Sequence, residues 1–132
     1  MKISPADKAF ADCVKEASDH TCAVCGKQGR MEASHIHSRR HRNMRWMKSN
    51  CISKCHTCHR WWHENPTESG KWFEKKYGSG MVDLLLEKKR MIEKVPKTEE
   101  KEIAKHYREQ LKEMQKAREQ GVTGELDFES WQ

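Results

Sequence analysis

No run of about twenty apolar residues occurs in this chain, so no stretch of it is expected to cross a membrane as a helix. Nor does the N-terminus read as a secretory signal. Ser4-Pro5-Ala6-Asp7 supplies a capping hydroxyl, a proline suited to a first helical position and an acid three residues after the cap, which together mark a helix start. The expected setting is cytoplasmic, where thiols stay reduced and disulfides are rare. Apolar residues are scarce, 35% of 132, with charged residues another 35%. Such a composition fills only a modest core, and a bound metal would supply the missing rigidity. Acids are the minority charge, 20 against 26 Lys and Arg, and the net +6 favours a polyanionic partner.

Four of the six cysteines fall into two CxxC units, Cys22/Cys25 and Cys55/Cys58, separated by 29 residues. Two such units can present four thiolates to one tetrahedral structural Zn²⁺; a disulfide framework is the competing reading. Gly26 and Gly29 allow the tight turns around the first unit. Cys13 recurs at helical spacing with Phe10, Val14 and Ala17 in a helix expected over 5–18, so it reads as core. Cys51 stands outside a set that the paired loops already complete; its substitution for one of the four is the alternative.

The densest chemistry lies between Ser34 and His63. His35 precedes Asn50 by fifteen residues, Asn50 precedes His59 by nine, and His59 precedes His63 by four. A strand over 31–37 would place His35 and His37 on one face, with Ser34 and Ile36 on the other. A second strand is expected over 50–53. A helix should start near Cys55 and stop before Pro66, with His59 and His63 one turn apart on one face and able to reach a single ion. Trp61 and Trp62 read as packing aromatics, with base stacking as the alternative. Between His35 and Asn50 lie Arg39, Arg40, Arg42, Arg45 and Lys48 with no acid among them, a run expected to contact nucleic-acid phosphates unless it is simply a solvated loop.

Over roughly residues 20–65 this series resembles the zinc-bearing HNH endonucleases, a ββα-metal nuclease family. The resemblance implies that His35 is the general base, that Asn50 holds the loop between the strands, and that His59 and His63 bind the catalytic ion. It implies DNA as partner, phosphodiester hydrolysis leaving 5′-phosphate and 3′-hydroxyl ends, and a phage or bacterial origin, with the host cytoplasm as the setting. Where the family carries Asp or His just before the base, this chain has Ser34, a weak ligand. The ion would then lean on water and phosphate oxygens or on His37, so Mg²⁺ or Mn²⁺ is expected ahead of Zn²⁺ or Ni²⁺. Three functions are weighed: a nicking DNA endonuclease, a dimeric structure-directed nuclease of recombination or DNA packaging, and a non-catalytic zinc-finger DNA-binding module.

The expected fold class is α+β, mainly helical: an N-terminal helix (1–20), a zinc-bound HNH core (21–66), a C-terminal helical region (67–120) and a polar tail (121–132). Within the third part, helices are expected over 70–77, over 81–95 and from a Thr98 cap to 120. The last two are expected to form an antiparallel hairpin packed on the core or a homodimer interface, which leaves monomer and dimer both open.

Overall fold

A computed structural model describes residues 1–131. The chain runs α1 (Pro5–Ala17), β1 (Glu32–His35), α2 (Arg42–Arg45), β2 (Cys51–Lys54), α3 (His56–Glu64), α4 (Pro66–Tyr77), α5 (Ser79–Arg90) and α6 (Glu100–Glu119), so it is mainly helical with one two-stranded sheet. Helix α1 starts as its sequence dictates. The Ser4 hydroxyl accepts from the Asp7 amide, and the Asp7 carboxylate accepts from the Ser4 amide.

Strands β1 and β2 are antiparallel, pairing Glu32 with Lys54, Ser34 with Ile52 and His35 with Cys51. Because paired residues share a face, the hairpin has two distinct sides. Glu32, Ser34, Ile52 and Lys54 face α3, where Glu32 meets His59 and Lys54 lies over Trp62. Ala33, His35 and Cys51 face α1, where the Phe10 ring lies 6.0 Å from that of His35. Strand β1 is shorter than expected and ends at His35; His37 already belongs to the loop.

Two apolar clusters flank this hairpin. Ala6, Phe10, Cys13 and Val14 of α1 pack against Ile103, Tyr107 and Met114 of α6, with Trp46, Val95 and Phe128 closing the cluster. Met44, Met47 and Ile52 pack against Trp62 of α3, Phe73 of α4 and Leu85 of α5. Burial of each large side chain contributes about 1.5–3 kcal/mol, so these clusters carry much of the fold.

The expected hairpin of the last two helices is not formed. Helix α6 lies along α1, whereas α5 packs on α4 and α2. Helix α4 begins at Pro66 rather than near Gly70, since proline is well suited to a first helical turn. A short 3-10 turn, Lys97–Glu99, leads into α6, and Thr98 does not cap it. The tail has no regular structure but is docked: Phe128 is buried, the Leu126 amide donates to the Ala17 carbonyl, and the Trp131 amide donates to the Tyr107 hydroxyl. The last residue of the expected tail lies outside the described residues. Among those described, no helix is long and apolar enough to cross a membrane.

Candidate metal centre and histidine site

The thiols of Cys22, Cys25, Cys55 and Cys58 converge, with all four sulfur atoms within 4.8 Å of one another. The Cys25 and Cys55 sulfurs are 3.8 Å apart. A tetrahedral zinc with Zn–S bonds of about 2.3 Å has ligand edges of about 3.8 Å, so this donor set fits a structural zinc. Local backbone builds the first loop: Cys22 donates to the Lys27 carbonyl, and Gly26, at φ +77°, donates to that of Cys22. Burial raises the Cys22 thiol, but hydrogen bonds from the Cys25, Cys55 and Val24 backbone outweigh it and bring the thiol down to about 6. Burial and the neighbouring sulfurs push Cys58 well up. A bound cation would favour the thiolate form at all four sulfurs. Cys55 also caps α3, its sulfur accepting from the Cys58 amide, so the centre anchors the helix that carries the histidine pair. Cys13 and Cys51 stay outside it. Both are buried, and burial pushes each thiol up to about 12.

On the α1 side, His35 is held by one strong contact: its Nε2 lies 2.9 Å from the Arg45 carbonyl. A carbonyl only accepts, so Nε2 carries the proton and the lone pair is on Nδ1, 4.0 Å from the Cys51 sulfur. Burial holds the ring below its ordinary 6.5, ahead of the Arg45 carbonyl, which pulls the other way. Asn50, fully buried, spans the loop. Its carbonyl accepts from the His37 amide, and its amide group donates to the His37 and Met44 carbonyls. His35, His37 and His63 line one cleft of about 350 Å³ floored by Trp62 and Phe73.

On the α3 side the His59 and His63 rings lie 4.9 Å apart. Burial, then His59 and Lys54, hold His63 below 6.5. Ser34 does not reach toward an ion. It is buried, and its hydroxyl accepts from the Lys54 ammonium at 2.8 Å, because strand alternation and pairing put both under α3. Lys54 is wholly buried over the Trp62 ring at 3.2 Å, and burial draws its ammonium down to about 7. Sequence reasoning passed over Lys54 and also Glu32, whose Oε1 lies 2.8 Å from His59 Nδ1 and whose Oε2 lies 3.3 Å from His56 Nδ1. The signal was present, since Glu32 sits two residues before Ser34 and alternation alone puts it on the same face. Among the described residues the four thiols are the one group of three or more ligands gathered this closely.

Four of the five residues of the basic run are paired within the chain. Arg45 is buried, and its guanidinium grips Asp7, Nε to Oδ1 at 2.8 Å and a terminal nitrogen to Oδ2 at 2.5 Å. Arg39 also reaches Asp7, Arg42 pairs with Glu100 at 2.9 Å, and Lys48 pairs with Asp127. These acids lie far off in sequence, which is why the run looked unpaired. Arg40 stays exposed, and among the described residues it forms no ion pair.

A family model described as the bacteriophage lambda NinG protein matches residues 3–119. The chain belongs to the NinG family. The matched span runs from the N-cap of α1 to the end of α6, so both faces of the hairpin and all four thiols fall within the NinG match. No curated protein and no solved structure matches the chain.

Proposed function

We propose that this NinG-family protein is a metal-dependent DNA endonuclease of HNH type that hydrolyses phosphodiester bonds, nicking one strand, with His35 as general base. The observation that carries this reading is the cradle around His35. The Arg45 carbonyl fixes the Nε2–H tautomer, leaving Nδ1 as the proton acceptor, and burial keeps the ring neutral near pH 7, the state a base must be in to take a proton from water. Asn50 aims the loop that supplies this carbonyl. His59 and His63 would hold a divalent ion, Mg²⁺ or Mn²⁺ in preference to Zn²⁺ or Ni²⁺. When bound, that ion relieves charge on the phosphate and the departing 3′ oxygen. Arg40 is the cation of the loop left free for a DNA phosphate.

A second reading, a zinc-bearing DNA-binding module without catalysis, is favoured by one observation. Lys54 occupies Ser34, where HNH nucleases carry an acidic or imidazole ligand. Incubation with supercoiled plasmid in Mg²⁺, Mn²⁺ or EDTA, followed by DNA ligase, decides between them. Metal-dependent open circles that ligase reseals are the expected result. Prompt linear product would mean paired active sites in a dimer, the structure-directed form of the same chemistry. Retardation of the plasmid without any cutting would assign the binding module.

A further inference from the structure

We propose that Glu32 is a positioning residue that fixes His59 for metal binding, its carboxylate taking the Nδ1 proton so that Nε2 offers its lone pair to the ion; this rests on the reading of His59 and His63 as an ion site. The sheet register puts Glu32 on the face that meets α3, opposite Lys54. Its Oε1 is 2.8 Å from His59 Nδ1. An ionised carboxylate only accepts, so Nδ1 bears the hydrogen, and a neutral imidazole has one N–H. The lone pair is therefore on Nε2.

The other oxygen faces His56 Nδ1 at 3.3 Å, so the carboxylate is steadied from two successive turns of α3. His63, one turn beyond His59, places its ring 4.9 Å from that of His59. A carboxylate behind a ligating imidazole is the usual way that ring orientation and basicity are set. Ser34, the nearer neighbour of His35, cannot serve, because Lys54 already holds it.

The test uses the full-length zinc-loaded protein and Mn²⁺ as the probe, since thiolates hold zinc in preference to manganese. Loss of the free Mn²⁺ resonance on titration gives the affinity, and zinc content and circular dichroism check the fold. Glu32→Ala should weaken Mn²⁺ binding by roughly 10- to 100-fold. Glu32→Gln should weaken it far less, because the amide oxygen still accepts from Nδ1. His56→Ala, which keeps the contact between Oε1 and His59 Nδ1, should weaken it less than Glu32→Ala does, and His59→Ala should abolish it. If Glu32→Ala binds as wild type does while His59→Ala loses the ion, the inference fails and the ion site stands. A Glu32→Gln protein as weak as Glu32→Ala would show that an acceptor at Nδ1 is not what holds the ion site and would overturn the positioning role. Wild-type protein that binds no Mn²⁺ would remove the preformed ion site and the positioning role with it, while the nuclease reading stands or falls on the plasmid assay.

Discussion

His35 draws on three separate parts of the chain: Phe10 of α1 beside its ring, the Arg45 carbonyl on Nε2 and the Cys51 thiol near Nδ1. With His35 as the base of the proposed nuclease, replacement by alanine should lower the cleavage rate by roughly 10²- to 10⁴-fold, the usual worth of a general base, with DNA retention in a gel unchanged. The pH dependence has a definite sign. Since burial holds His35 below 6.5, the ring stays deprotonated as pH falls to 6.5, and the cleavage rate should decline only below that. A decline beginning above pH 7 at saturating metal would show that another group limits the reaction. At this scale the sequence was informative for residue types at motif spacing, His35, Asn50, His59 and His63. It was silent on Glu32 and Lys54, which take their meaning from contacts across the sheet and from α3.

At the scale of elements, the buried Asp7–Arg45 pair ties α1 to the β1–β2 loop, with Arg39 also on Asp7, and the same Arg45 supplies the carbonyl that holds His35. Both side chains are buried. Asp7→Ala should therefore cost about 3–5 kcal/mol in urea denaturation, since it strands a buried guanidinium. A loss under about 1 kcal/mol would place this pair with ordinary surface pairs. Burial raises the Asp7 carboxyl, but Arg45 and the Ser4 cap hold it below its ordinary 3.8 overall. Its contribution is therefore present above pH 3.8 and lost as pH falls through the folded value, and the gap between wild type and Asp7→Asn should narrow in acid. From sequence, Asp7 was legible as a capping acid and its pairing with Arg45 was not, because 38 residues separate the partners. The helices show the same limit. The stripe of Ile103, Tyr107, Leu111 and Met114 marks a buried face, but periodicity does not say which helix covers it, and α1 rather than α5 does.

At the scale of the whole molecule, two apolar clusters and a cluster of four thiols that fits a zinc ion lie in a chain poor in apolar residues. Cys55 contributes to the centre and to the start of α3 at once, so Cys55→Ser should lose zinc and much of the helical signal in circular dichroism. A folded, zinc-containing and active Cys55→Ser protein would contradict the four-sulfur assignment. The tail also belongs to the fold: Phe128→Ala should destabilise the protein by about 3 kcal/mol in urea denaturation, the usual cost of emptying a buried aromatic site. Its polar, acidic sequence gave little sign of this, since one buried ring and a few backbone hydrogen bonds do the docking.

The most direct measurement compares wild type with His35→Ala on supercoiled plasmid, enzyme in excess, with Mg²⁺ or Mn²⁺ and with retention of the DNA checked in parallel. The predicted result is open circles from wild type alone, in metal and not in EDTA, with both proteins retaining DNA equally. Cutting by His35→Ala at the wild-type rate would contradict the assignment of the base, and no cutting by wild type in any metal would contradict the nuclease.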